Sequence, residues 1–180
     1  KGLFDSRGRL IKMAGAHSDI TAKKESEERI HRLAYYDILT GLPNRSRFTE
    51  KFYEIAKVPE RKIAVIIIDI DNFKLINDSY GHDVGDKLLV EVTERLDSMN
   101  TETSYIARMA GDDFALMVWD YDNENELKEI VETLINRIEG MAFIENYNIV
   151  IEVNIGVALY PQDANSFDIL YKNADTAKFK

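Results

Sequence analysis

The stretch Lys62–Ile70, "KIAVIIIDI", limits the folds open to this chain more than any other. A continuous β-branched run without polar alternation reads as a strand covered on both faces, since a strand with one wet face alternates polar and apolar residues. It belongs at the centre of a sheet with helices packed on either side. It also closes in acid, because Asp69 and Asp71 follow the aliphatic residues directly. A second acidic break divides "RMAGDDFALMV", Arg108–Val118, where Ala-Gly-Asp-Asp separates two strand-like segments. Adjacent carboxylates between buried segments are costly unless a metal ion, a basic side chain or water at a hairpin tip relieves them. Alone, Asp-Asp is ordinary turn chemistry. What argues for more is the first pair, which ends a buried strand with no polar relief.

The rest of the chain supplies the partners such a strand needs. Residues 1–20 read as a β-hairpin, "GLF" and "RLIKMAGA" around the turn "DSRG", expected to be the remnant of an upstream domain. Residues 21–36 read as a charged linker helix in which Ile30, Leu33 and Ala34, with Ile20 just before, are the few apolar positions. It is either a solvated helix or one that pairs with its twin in a dimer. Residues 37–180 are expected to form the main domain, truncated at its C-terminal end. After the loop "TGLPNR", Asn44 or Ser46 is placed to start a helix running to about Val58. A short helix near Phe73–Asp78 follows the strand, and then an amphipathic helix with Leu88, Leu89, Val92 and Leu96 on one stripe. "SYIARM" and "FALMVW" are two strands. "ENELKEIVETLINRIEGM" is a helix, "YNIVIEVNIGVALYP" one long strand closed by Pro161, and "SFDILYKNADTAKF" a last helix. The fold class is α+β, an α/β sandwich with one sheet and helices packed on it.

Composition bounds the function. With 45% apolar and 31% charged residues the chain can bury a core, and 180 residues make one domain of ordinary size plus some extra. A net charge of −9 argues against holding nucleic acid by a general basic surface. The absence of cysteine excludes disulfides and thiolate chemistry. The longest apolar run, "IAVIII", falls far short of the roughly 18–20 residues of a membrane span, so no direct membrane insertion of this segment is expected; its expected location is cytoplasmic, in a full-length protein open to a membrane anchor upstream.

If the hairpin and the central strand are sheet neighbours, Asp69 and one of Asp112 and Asp113 converge. Hard oxygen ligands on two strands suit Mg²⁺ or Mn²⁺, with water and phosphate completing the shell. Two such ions about 3.5–4 Å apart activate a hydroxyl and stabilise a leaving group in phosphoryl transfer. Gly111 lets the backbone approach a phosphate or purine closely. Lys74 is either solvated or reaches a triphosphate. His82 fits a structural hydrogen bond better than a metal, and Trp119 is most simply core.

These residues carry a resemblance. "DILTGLPNRSRF", "DIDNFKLINDSYGHDVGDKLL", "RMAGDDFALMV", "NIGVALYP" and "NADTAKF" are similar, in order and spacing, to the signatures of GGDEF domains, the diguanylate cyclase family. The resemblance implies a central, mostly antiparallel five-stranded sheet flanked by helices, like adenylate cyclase catalytic domains and polymerase palms. It implies GTP as substrate, cyclic di-GMP as product, and a second copy of the chain bringing the second GTP. By motif position, Asp69, the Ile70 carbonyl, Asp112 and Asp113 would bind the metal. Phe73 and Lys74 would meet the phosphates, Asn77 and Asp86 the guanine, and Gly111 the nucleotide. Asp113 would stand where the family has its catalytic Glu, with Asp112 and Lys74 beside it in catalysis.

Three departures matter. Ala110 replaces the first Gly of the signature, and Asp113 replaces its Glu. Thr101 and Ser104 replace the Arg and Asp of the family's inhibitory product site, which is therefore expected to be absent. The resemblance also implies a phosphate-binding Lys and Arg just after the last helix, positions that this sequence stops before. The first segment resembles the last hairpin and exit helix of a PAS sensor, and "RLAYYDILTGLPNR" resembles GGDEF domains that precede an EAL phosphodiesterase domain. Three functions compete: an active diguanylate cyclase, a non-catalytic GTP-binding domain regulating an attached EAL domain, and a purely structural or dimerising module. The first two share one pocket, and the first requires Asp69 and Asp112 within reach of a shared cation, with no lysine or arginine neutralising them in a sealed pocket.

Overall fold

The computed structural model describes residues 2–13 and 21–178. The chain divides into two units, Lys1–His31 and Arg32–Lys180. In the first, β1 (Gly2–Phe4) and β2 (Leu10–Met13) form an antiparallel hairpin with Gly2 opposite Met13 and Leu3 opposite Lys12. Asp5 shapes its turn, its Oδ1 accepting from the backbone N–H of Arg7 and of Arg9 at 2.9 Å each, as an Asx turn does. The expected hairpin's residues 14–20, and Ile20 with them, lie outside the described residues. Helix α1 (Thr21–Tyr35) begins in the first unit and ends in the second, and its residues 23–34 are exposed, Ile30 and Leu33 included.

The second unit contains α2 (Arg45–Ala56), β3 (Ile63–Ile70), α3 (Phe73–Tyr80), α4 (His82–Asp97), β4 (Ser104–Ala110), β5 (Asp113–Trp119), α5 (Glu124–Ile138), β6 (Gly140–Ile144), β7 (Tyr147–Ile151), β8 (Val153–Tyr160) and α6 (Phe167–Thr176). The sheet order is β4-β5-β3-β8, every pair antiparallel. The aliphatic run is β3, with a hydrogen-bonded neighbour on each side and helices on each face. Ile63, Val65 and Ile67 pack with Phe48 and Phe52 of α2 and with Phe167, Leu170 and Ala174 of α6. Ala64, Ile66, Ile68 and Ile70 pack with the α4 stripe Leu88, Leu89, Val92 and Leu96 and with Leu127, Leu134 and Ile138 of α5. Each fully buried isoleucine contributes about 1.5–3 kcal/mol, so this strand is a major source of hydrophobic stabilisation.

The α+β architecture is the expected one, with three differences of detail. The sheet has four strands, not five: β6 and β7 pair only with each other and lay Ala142, Ile144, Ile149 and Ile151 on the α4–α5 core. The expected single strand over 147–161 is interrupted at Glu152, so β7 serves the hairpin and β8 the sheet. The Glu152 carbonyl accepts instead from the Asp71 N–H at 2.8 Å. The helix expected to reach Met141 ends at Ile138, since Gly140 has a φ of 113°, which no helix accommodates and few L residues adopt.

Candidate functional site

Alternation along β3 decides where its acid points. Asp69 is in phase with Ile63, Val65 and Ile67, on the face that α2 and α6 cover, and its register partner on β5 is Asp113. Two carboxylates directly opposite across a strand pair repel, so this end of the sheet calls for a cation. Lys178, just past α6, supplies it. Its Nζ donates to Asp69 Oδ2 at 3.3 Å and to Asp113 Oδ1 at 3.1 Å, and lies 2.8 Å from Asp175 Oδ1. The close seat of α6 brings the lysine there. Gly156 of β8 faces Ile67, and a Cβ on it would stand 1.8 Å from the Ala174 carbonyl oxygen and 2.8 Å from the Lys178 amide nitrogen. The cluster is open to solvent: the side chains of Lys178, Asp69 and Asp113 keep 17%, 30% and 24% of their surface exposed.

Asp112 lies at the hairpin tip beside Gly111, whose φ of 55° a residue with a Cβ adopts only under strain. It is half-buried and is not among the carboxylates that Lys178 contacts. Burial pushes the Asp112 carboxyl above the ordinary aspartate value, and the Asp69 charge adds to this against Lys178 and Arg108. Burial likewise raises Asp113, with the hydrogen bond and charge of Lys178 opposing and Asp69 and Asp112 reinforcing. For Lys178, burial works to lower the ammonium, but its hydrogen bonds to Asp175 and Asp113 and the charges of Asp113 and Asp69 win, holding it above the ordinary lysine value. Ile70, the last residue of β3, is buried opposite Val153. The Asp71 carboxylate is engaged by Asn72 Nδ2 at 2.8 Å and Asn154 Nδ2 at 3.3 Å.

Arg108 braces the tip. Its guanidinium donates to the Gly111 carbonyl through Nε at 2.9 Å and NH2 at 2.6 Å, and to Asp37 Oδ1 through NH1 at 2.8 Å. Asp37 also accepts from the Thr40 N–H and hydroxyl at 2.9 and 2.7 Å. Burial opposes this carboxylate, yet the Thr40 hydrogen bonds and the Arg108 charge hold its pKa below the ordinary value. The register of β4 shifts between Arg108 and Ala110, a bulge of the kind that re-aims side chains at a sheet rim. At the signature's substituted positions, Thr101 and Ser104 bond to each other, hydroxyl to hydroxyl at 2.8 Å, and tie the turn before β4.

The second cluster lies where α3 meets α4. Phe73 and Asn77, one turn apart, both pack on Gly85, where a Cβ would stand 1.8 Å from Asn77 Oδ1 and 3.4 Å from Phe73 Cζ. Asn77 Oδ1 is buried and accepts no hydrogen bond among the described residues. Asp86, the next residue after Gly85, is exposed and lines an open hollow with Leu39, Asp83, Lys87 and Val90. Lys74 and His82 are exposed, and Trp119 is buried in the core.

The sequence-predicted residues therefore fall into two groups: Asp69, Asp112 and Asp113 at the sheet's acid end, Phe73, Asn77 and Asp86 around Gly85. Lys178, Asp37, Gly85 and Gly156 were missed, and Arg108 was noticed without a role. The signal for the Asp37–Arg108 pair was an acid opening one motif and a base opening another; nothing local marks Lys178. Among the described residues, no group of three or more His, Cys, Asp or Glu side chains is arranged to hold a metal by itself. The donor chemistry nonetheless fits a hard ion, for two carboxylates already share one cation, and Mg²⁺ is usually held by one or two carboxylates plus substrate phosphates.

An antiparallel sheet whose central strand ends in acid opposite an acid-tipped hairpin defines a class of α+β domain, and comparison with known proteins gives its family. The model for "Diguanylate cyclase, GGDEF domain" matches residues 34–180, and the chain belongs to the GGDEF family. It is 36% identical over 151 residues to the cyclic di-GMP phosphodiesterase NbdA of Pseudomonas aeruginosa, covering 82% of this chain and 19% of NbdA. It is 31% identical over 162 residues to the diguanylate cyclase DgcP of Escherichia coli, covering 87% of this chain and 47% of DgcP. The crystal structure of a sensory box/GGDEF family protein from Caulobacter crescentus superposes with a TM-score of 0.75 at 34% identity, covering 81% of this chain and 96% of that one. The chain spans 22%, 19%, 21% and 24% of the length of four curated relatives it matches. Among the described residues no helix is long and apolar enough to cross a membrane.

Proposed function

We propose that this domain is a diguanylate cyclase, joining two GTP molecules into cyclic di-GMP with loss of two pyrophosphates. The observation that carries the reading is the register pairing of Asp69 with Asp113, which brings two carboxylates onto one cation at the open end of the sheet. Asp69, Asp113, the Ile70 carbonyl and, beside them, Asp112 would hold Mg²⁺ or Mn²⁺. When bound, that ion would neutralise charge at the reacting phosphate.

The chain's own residues do the positioning. Asn77 offers a buried acceptor without a donor, and guanine presents N1–H and a 2-amino group where adenine has a bare N1 and C2–H. Asp86 adds a carboxylate alongside. Phe73, packed on Gly85, shapes the floor, and Lys74 at the start of α3 faces solvent where a triphosphate would run. Asp113, which stands across the strand pair from Asp69, would take the proton of an attacking 3′-hydroxyl as general base. The second GTP comes on a second copy of the chain. The first segment would belong to an upstream PAS-like sensor acting through the linker helix, in a protein that works in the cytoplasm.

A second reading has its own support. Lys178 occupies both acids, Ala110 and Asp113 depart from the signature, and NbdA is named as a phosphodiesterase. On that reading the domain binds GTP without turning it over and regulates an attached EAL domain. The test is to incubate the full-length protein with GTP and Mg²⁺ and identify products by mass. Cyclic di-GMP above the Asp69→Asn background supports the cyclase. Saturable GTP binding in calorimetry without product supports the regulator, and no binding removes both.

A further inference from the structure

We infer that the Lys178 ammonium is an internal counter-ion that must leave Asp69 and Asp113 before a divalent cation can bind them, so that the cation enters together with a triphosphate rather than ahead of it. The inference rests on the metal-site reading above.

An ammonium has three N–H donors, and here each has a carboxylate: Asp69 at 3.3 Å, Asp113 at 3.1 Å and Asp175 at 2.8 Å. The site is thus a closed set of contacts made from within the chain. A free divalent cation approaching it meets a positive charge already between the two oxygens it needs. The ammonium is tethered as well. Its backbone nitrogen lies against Gly156, so the group returns to the acids at a local concentration no free ion matches.

A triphosphate changes the balance. Its oxygens give the ammonium a new anionic partner while its bound cation takes over the carboxylates. Lysine suits such an exchange, being a point charge on a flexible stem rather than a rigid fork. Asp175 gives it a resting place. That contact is the shortest of the three and comes from the lysine's own helix end, so the ammonium can release the strand acids and stay paired. Metal and base ends of the site then load together.

The test is Mn²⁺ retained with full-length protein in equilibrium dialysis, where free Mn²⁺ and its nucleotide complex both pass the membrane, with and without a non-hydrolysable GTP analogue. Without nucleotide, Lys178→Met is expected to bind Mn²⁺ at least tenfold more tightly than the parent, while Lys178→Arg behaves like the parent. With the analogue present, the gap between Lys178→Met and parent closes to less than threefold. Lys178→Gln reads the same quantity should the methionine variant fold poorly. Equal nucleotide-free affinities in parent and charge-removed variants, with Asp69→Asn abolishing both, overturn the counter-ion role and leave the metal site standing. Binding that survives Asp69→Asn, or no binding in any variant with or without the analogue, overturns the metal-site reading and the inference with it.

Discussion

The acid end of the sheet and the α3–α4 corner satisfy their polar groups in opposite ways, and a glycine stands behind each. At the acid end, charge is answered from inside, because Gly156 seats α6 close enough for Lys178 to reach Asp69 and Asp113. At the corner, Gly85 admits the Asn77 side chain, and its Oδ1 is left buried and unanswered. A buried acceptor without a donor costs roughly 1–3 kcal/mol. One region answers its charges from within the fold; the other leaves one buried acceptor unanswered among the described residues. The Cβ that Gly156 excludes would strike backbone, whereas the one Gly85 excludes would strike the end of a movable side chain. The first glycine is therefore the harder of the two to replace, and the second is the one whose replacement would displace Asn77.

The largest effect should come from the acids. Asp69→Asn is expected to lower cyclic di-GMP formation by about 1,000-fold, since one electrostatic contact at a reacting phosphate is worth on the order of 100–1,000-fold; product mass against time checks it. Next, Gly156→Ala should destabilise the fold by about 3 kcal/mol through overpacking against the Ala174 carbonyl, seen as a lower urea midpoint. An unchanged midpoint would break the contrast between the two glycines. Gly85→Ala should move the midpoint by under about 1 kcal/mol but weaken GTP binding about 10- to 100-fold, as Asn77 swings away; calorimetry and denaturation together sharpen the point. The smallest effect concerns Asp37, whose folded pKa lies below its unfolded value of about 3.8. Its contribution is full above that value and lost as pH falls through the lower, folded pKa. Asp37→Asn should therefore cost about 1 kcal/mol at neutral pH, with the gap from the parent closing as pH falls below the unfolded value.

Much of this was legible in the sequence, and for local reasons. Unbroken β-branching marked β3, a 3.6-residue stripe marked α4, and acids where apolar runs stop marked the strand end and the hairpin tip. The fourfold rather than fivefold sheet was not legible, because the break at Glu152 depends on which neighbours β7 and β8 find. The convergence of Asp69 with Asp113 follows from register, and register belongs to the fold. Lys178 was invisible for the same reason: it lies 109 positions from Asp69 and 65 from Asp113 along the chain, and its contact depends on how deeply α6 sits over a glycine. Asp86 and Asn77, singled out by family resemblance, stand on either side of Gly85, whose part only packing reveals.

The brace at the hairpin tip has a mechanical consequence. Asp37 comes immediately after Tyr36, whose N–H still bonds back to Arg32 in the last turn of α1. Through Arg108 that same aspartate grips the Gly111 carbonyl, one peptide away from the acids. A twist at the helix end would therefore reach the acidic tip through two side chains, Asp37 and Arg108, rather than through the apolar interior.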